Sequence, residues 1–447
     1  MPGKDIYWYG VQAKSLLHTG KLHSPDPSPV FSIVEFLFRI FGETESTLFL
    51  FGFITYGFLV LSGWIGIRFH SKSIRMENRI GFPFFLFLSG IWISFLYPKQ
   101  AWGLGFFGMG IGFWIGLLHL KERRIGKLSY LITALVCFGI SIWFHSVFLI
   151  LSVCIPIGIA LNYLALKKAL DFSKGLLIGF SFIVLLFILR ILLPDLSFSE
   201  RWKFDSDFYF PILETYRSFG SALLLEWFLA FFLLWRRKTS LFYLCLLAAF
   251  LFPWASFTDL QFRIFLSVLW ISELSIEGKE TDPWWGLLVC MLWIFGLRSD
   301  STHFRHNYPE FRKALHSLPN DFRPGLLVAH HGFCEFIKFH RELDCLSWKP
   351  DEKAKQELPS GSEIYRIVQG FSSRELESSF DSNGGSIFKN GVLNLGDYLL
   401  VKERDWDSFQ SIKEKERDEE VLSRIENWRN PFRTRPKFIL KKYGKPE

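Results

Sequence analysis

The sequence predicts an all-α polytopic membrane bundle of about ten transmembrane helices, followed by a small C-terminal α/β soluble domain. Three observations carry that expectation. Half of the 447 residues are hydrophobic, and Phe contributes 51 of them. The apolar residues crowd into blocks that end near residue 297, after which the chain reads like a water-soluble protein. Basic residues collect in alternate loops between the blocks, the charge bias of a multi-pass membrane chain.

A bilayer core about 30 Å thick needs about 20 apolar helical residues to cross it. Leu48 to Ile67, Phe82 to Tyr97, Ala101 to Leu120, Leu128 to Phe144, Val147 to Leu166, Gly175 to Leu193 and Ser218 to Trp235 meet or approach that length. So do Leu241 to Trp254, Ile264 to Ile276 and Trp284 to Leu297, although these three are short and one could be re-entrant. Core helices of a soluble protein carry a polar face, and these blocks mostly do not.

The formal net charge of +8 invites a nucleic-acid reading, but its distribution excludes one. Lys121, Arg123, Arg124 and Lys127 against Glu122 give one loop +3, and Arg236, Arg237 and Lys238 give another +3. Loop 195–217 is acidic instead. Loop 277–283 breaks the alternation, with Glu277, Glu280 and Asp282 against Lys279. The bias places the segment before residue 47, loops 98–100, 195–217 and 255–263, and the C-terminal domain outside the cytoplasm, in a bacterial inner membrane. Residues 1–29 are polar and contain no apolar signal core, so a further apolar helix is expected upstream of them.

Three regions follow. Residues 1–46 form an extracytoplasmic loop, 47–297 the helical bundle, and 298–447 the α/β domain. Within the first, Val30, Ile33, Val34, Leu37, Phe38 and Phe41 repeat at helical spacing, and Gly42 follows as a stop. About 13 residues are too few to span, so this helix suits the membrane surface. Beyond 298, helices are expected at Tyr308 to Leu318, Phe333 to Leu343 and Trp406 to Trp428. Strands are expected at Gly325 to Ala329, Glu363 to Val368 and Val392 to Val401.

The stretch Asp5-Ile-Tyr-Trp-Tyr-Gly-Val-Gln-Ala-Lys-Ser-Leu-Leu-His-Thr-Gly20 opens on an aspartate, and Asp26-Pro-Ser-Pro29 leads into the surface helix. Ile40-Phe-Gly42 closes it. Residues 5–68 resemble the first extracytoplasmic loop of the GT-C glycosyltransferases, and the rest of the bundle resembles that superfamily more loosely. The resemblance implies a transferase that takes a sugar from a polyprenyl-phosphate donor and passes it to an extracytoplasmic acceptor. It implies a catalytic or metal-binding carboxylate at Asp5, with Asp26 as a second. Transfer needs a base for the acceptor hydroxyl. The departing lipid phosphate needs cationic stabilisation or a divalent metal such as Mg or Mn. Arg263, at the start of an apolar block, looks like the superfamily's late-helix arginine near the donor phosphate. Lys99, Arg201 and Lys203, all in outer loops, are further candidates for phosphate binding.

Each candidate also has an ordinary structural role. Asp5 could be a helix N-cap, Asp26 a turn residue, and Arg263 an interfacial anchor. His145, in Phe144-His-Ser146, is an ionisable group at the end of a span. Together with Tyr97-Pro-Lys-Gln-Ala101 it resembles Wzy-type polysaccharide polymerases, although Gln100 and Trp102 stand where that family places Arg. Membrane transport and a non-catalytic membrane role are the alternatives from other classes. Pro156 is the main proline inside a span, whereas transporters favour several broken helices. The expected partners are a lipid-linked sugar donor and membrane lipid, with no nucleic acid. In the C-terminal domain, His330-His331-x-x-Cys334 fits no standard zinc spacing. Cys334 and Cys345 could pair in an oxidising compartment, which spacing does not decide.

Overall fold

The computed structural model describes residues 6–74, 86–119, 124–167, 208–209, 225–236, 254–255, 260–277, 312, 315–318, 322, 324–329, 331–347, 362–369, 392–395 and 398–409. The chain divides into two units, Met1–Asn307 and Tyr308–Glu447.

The first unit is helical. In chain order it holds α1 (Ile6–Thr19), α2 (Val30–Phe41), α3 (Glu45–Ile74), α4 (Leu86–Leu96), α5 (Pro98–His119), α6 (Arg124–Phe144) and α7 (Val147–Lys167). After these come α8 over 225–236 and α9 (Leu260–Glu277). Among the described residues three helical segments are long and apolar enough to cross a membrane: Glu45–Arg68, Pro98–Leu118 and Gly126–Phe144. At 1.5 Å per residue the shortest, 19 residues, rises about 28 Å, close to the thickness of the hydrocarbon core. The apolar blocks expected at 175–193 and 284–297 lie outside the described residues, as does nearly all of 241–254.

Helix α5 is the hub. It packs against α3 on one flank and α6 on the other, and it also touches α4 and α7. Glycines along its flanks permit this. A Cβ on Gly112 would lie 2.4 Å from the Gly66 carbonyl oxygen of α3, and one on Gly110 would lie 2.6 Å from the Phe138 ring of α6. Small residues allow helix backbones to approach where no solvent drives them together. Behind α5, the buried side chains of Phe107, Phe148, Trp227 and Trp270 fill the core between α5, α7, α8 and α9.

One sequence expectation is corrected at the head of α5. Residues 98–100 were expected as an outer loop, but α4 and α5 are separated by Tyr97 alone, and Lys99 and Gln100 sit in the first turn of α5. Pro98 opens that helix, where its fixed φ and missing N–H cost nothing.

The second unit carries a five-stranded mixed sheet. Its strands are β3 (Leu326–Ala329), β4 (Cys345–Ser347), β5 (Ile364–Gln369), β6 (Val392–Asn394) and β7 (Tyr398–Lys402), in the order β4-β3-β5-β7-β6. The strands numbered β1 (Phe208–Tyr209) and β2 (Trp254–Ala255) belong to the first unit and form a short antiparallel ribbon. Strand β3 pairs in parallel with β4 and β5, and β7 pairs antiparallel with β5 and β6. Helix α10 (His331–Arg341) makes the crossover from β3 to β4. Two expectations change here. Val392 to Val401 holds two antiparallel paired strands rather than one, and Cys345–Ser347 forms a strand that was not expected. Cys334 and Cys345 are disulfide-bonded, which ties α10 to β4. Just before β5, hydrogen bonds from Tyr365 and Lys402 hold the Glu363 carboxyl below the usual range.

The glycine contact generates a stability prediction. Gly112→Ala should destabilise the detergent-solubilised protein by about 1–3 kcal/mol through overpacking against α3, read as a lower melting midpoint. Gly57→Ala, at a position with nothing within 4 Å, should not lower it. Equal midpoints would show that the α3–α5 approach is wrong.

Candidate functional site

The polar groups of the first unit gather where the first loop meets the ends of the long helices. Helix α1 is pinned at the α2–α3 turn by three side chains. The Tyr7 hydroxyl donates to Glu45 Oε1 at 2.5 Å, His18 Nε2 lies 2.7 Å from Glu43, and Lys14 Nζ lies 3.7 Å from Glu43. Gly20 ends α1 with φ +70°, a conformation that glycine adopts without a Cβ penalty. Gln12 then clasps the returning chain: its Nε2 donates to Ser24 Oγ at 2.5 Å, and its Oε1 accepts from the Ser24 N–H at 3.1 Å.

The Asp26-Pro-Ser-Pro29 turn is the part that meets the bundle. Asp26 Oδ1 accepts the Ser28 N–H at 2.9 Å, which folds the turn on itself. Both oxygens of the same carboxylate receive Lys99 Nζ, at 2.8 and 2.6 Å. The pair is largely shielded, with side-chain exposures of 20% for Lys99 and 15% for Asp26. The Lys99 backbone N–H, one of the groups that a helix start leaves without an intrahelical partner, donates to the Tyr9 hydroxyl at 3.2 Å. The Ser28 hydroxyl donates to the Phe144 carbonyl at 2.9 Å, satisfying a group at the opposite kind of terminus, the end of α6. One loop thus closes both a helix start and a helix end.

His145 follows directly. Its Nδ1 accepts the Val147 N–H at 3.1 Å and so caps α7. The ring is half-buried and edge-on to Phe148. In this arrangement the imidazole holds the α6–α7 turn that Ser28 grips.

Helix α9 reaches the same end. Gln100, next to Lys99, is buried and donates from Nε2 to Ser267 Oγ at 2.7 Å. Further along both helices, Gly108 faces Trp270 and Leu274. Helix α9, which packs on α4 and α3, therefore runs in the same direction as α5, and its first turns, which include Arg263, lie at the end of the bundle that Lys99 marks. Ribbon β1–β2 joins the 195–217 loop to the approach to α9. Asp5, Arg201 and Lys203 lie outside the described residues; Asp5 immediately precedes α1.

The pairing changes the chemistry available. Asp26 was weighed as a second carboxylate for catalysis. Both of its oxygens are engaged, by the Lys99 ammonium and by the Ser28 N–H, so in this arrangement it orients a cation. Lys99 is correspondingly an oriented cation: Asp26 uses two of its three N–H groups. A fixed ammonium at a helix start, with the helix dipole behind it, suits an anion. Among the described residues no group of three or more His, Cys, Asp or Glu side chains could hold a metal.

Two acidic residues escaped the sequence reading. Glu226 on α8 and Glu273 on α9 are fully buried within apolar helices. An acidic residue inside an apolar block is itself a functional signal, and Leu-Leu-Leu-Glu226-Trp and Trp-Ile-Ser-Glu273-Leu both carried it. No protein-family model matches the chain, and no curated protein shows significant similarity to it.

The Asp26–Lys99 contact should couple measurably. In a double-mutant cycle of Asp26→Asn and Lys99→Met, the interaction energy should be about 1 kcal/mol. Amide exchange over residues 21–29 should rise in each single variant. Additive stabilities with unchanged exchange would remove the clasp.

Proposed function

We propose that this protein is a GT-C-like membrane glycosyltransferase, which moves a sugar from a polyprenyl-phosphate donor to an acceptor outside the cytoplasm. The observation that carries the reading is the two-oxygen clasp of Lys99 by Asp26. It seats the loop that begins at Asp5 on the end of the bundle where α9 also begins. In this reading the multi-pass bundle has about ten spans, and that end faces away from the cytoplasm. The donor phosphate sits between the Lys99 ammonium and Arg263, and its negative charge is the partner that a helix start favours. Asp5 takes the proton of the acceptor hydroxyl as the sugar carbon–phosphate oxygen bond breaks, and the lipid phosphate leaves with that bonding pair. Asp26 acts through Lys99 as a positioning residue.

A transport reading draws on a different observation, the burial of Glu226 and Glu273 inside apolar helices. The assay of the first reading separates the two. Membranes carrying Asp5→Asn should lose transfer of labelled sugar from a polyprenyl-phosphate donor by at least about a hundredfold, the scale of a missing general base, at unchanged protein level. Undiminished transfer removes Asp5 from the mechanism. Absence of any transfer by the native protein leaves the buried glutamates as the functional groups.

A further inference from the structure

Around α2, at about 100° per residue, the side chains fall into three sectors instead of the two of an ordinary amphipathic helix. Val30, Phe31, Val34, Leu37 and Phe38 are buried, and the helix packs on α1, α3 and α5. Ser32, Glu35 and Arg39 make a polar sector, in which Glu35 and Arg39 are ion-paired one turn apart. The third sector is apolar again. Ile33, Phe36 and Ile40 follow at intervals of three and four residues, so they share a face. Phe36 is 58% exposed and Ile40 54%, as open as Leu61 at 54% on α3. Val30, Val34, Leu37 and Phe38, whose spacing predicts this helix, are thus turned to protein, and the open apolar face belongs to other residues.

Both ends of α2 are fixed to the bundle. Ser28, just before it, grips the Phe144 carbonyl at the end of α6. At its other end the Thr47 hydroxyl, in the first turn of α3, donates to the Gly42 carbonyl at 2.7 Å. Helices α6 and α3 stand on opposite flanks of α5, so α2 crosses the end of the bundle from one to the other. Only Gly42 to Thr44 separate it from Glu45, where the first candidate span begins. The open apolar face therefore belongs to a helix seated at the head of that span.

We propose that the Ile33, Phe36 and Ile40 face of α2 docks into the lipid leaflet at the Lys99 end of the bundle, at the boundary between headgroups and acyl chains. The proposal needs a membrane around the bundle and none of the transfer chemistry, so it goes beyond the transferase reading. Two arguments select lipid over a protein partner. The face is continuous along the chain with the open side of the candidate span, where Phe53 is 62% exposed. The three sectors also match the three neighbours that a helix meets at the rim of a membrane bundle: protein, water and acyl chains. The headgroup zone on each side of a bilayer is about 5–8 Å thick. A helix with its side chains is about 10 Å wide, so one lying there touches both media at once.

The test uses the purified full-length protein in phosphatidylcholine nanodiscs, with its own free thiols replaced. Single cysteines at Phe36→Cys, Ile40→Cys, Arg39→Cys and Phe53→Cys each carry a fluorophore. The quenchers are aqueous iodide and phosphatidylcholine bearing a nitroxide either near the headgroup or near the end of its acyl chain. Labels at 36 and 40 should lose most of their emission to the shallow nitroxide and little to iodide, and the label at 39 should do the reverse. Iodide quenching at 36 and 40 as strong as at 39 places the face in water and overturns the proposal. Quenching by neither reagent overturns it as well, because protein then covers the face, a second copy of the chain included. Stronger quenching by the deep nitroxide at 36 and 40 overturns it too, since α2 would then lie within the acyl chains. Position 53, about 12 Å along α3 from Glu45, should answer to the deep nitroxide. Iodide quenching there removes the membrane setting and the proposal with it. No sugar transfer is read, so the result is independent of the role of Asp5.

Discussion

Everything at the candidate site hangs on one ammonium held between two oxygens. Lys99 occupies the first turn of α5, and Asp26 reaches it across 73 positions of sequence. Two further bonds accompany that contact, from the Lys99 N–H to the Tyr9 hydroxyl of α1 and from the Ser28 hydroxyl of the loop to the Phe144 carbonyl. Near a bilayer, backbone groups at helix ends are costly to leave without partners, because little water is available to take their place. The loop meets that demand at a helix start and a helix end together. Its polar residues are thereby bound to the ends of apolar helices.

The placement of α5 at the centre makes that surface consequential. A helix whose flanks are glycine can be approached closely on both sides, and whatever large side chains it carries must then face forward or backward. Phe107 faces backward into the core with Phe148 and Trp270. Trp102, Phe106 and Met109 face forward. The same glycines fix the packing of α3 and α6, and the cation that orders the loop stands in the first turn of the helix they flank. Packing and loop order meet in a single helix.

Much of this was legible in the sequence, and the failures have physical causes. The amphipathic spacing of Val30 to Phe41 and the stop at Gly42 matched α2, because periodicity reports a buried face directly. Asp26 and Lys99 were each visible as charged residues in polar stretches, but their pairing depends on tertiary placement that spacing cannot encode. Lys99 was expected in a loop because Pro98-Lys-Gln100 separates two apolar blocks, but a proline is equally at home at the first helical position. His145 stood out for its depth, yet its ring nitrogen caps α7. Glu226 and Glu273 are single charges inside otherwise apolar blocks, so the hydropathy of those blocks conceals them. The pair of strands between Val392 and Lys402 was missed because hydrophobic residues on both sides of Gly396 read as one run.

The central claim is that the Asp26 loop and the heads of α5 and α9 share one aqueous face, opposite the start of α6. Lys127, 17 residues before the Phe144 carbonyl that Ser28 grips, lies about 26 Å along the helix from that contact. The direct measurement places single cysteines at Lys21→Cys and Lys127→Cys, in a chain whose own free thiols have been replaced, and exposes intact cells to a membrane-impermeant thiol reagent. The account predicts labelling at position 21 and none at 127 until the membrane is permeabilised. Labelling of both positions, or of 127 alone, would contradict it.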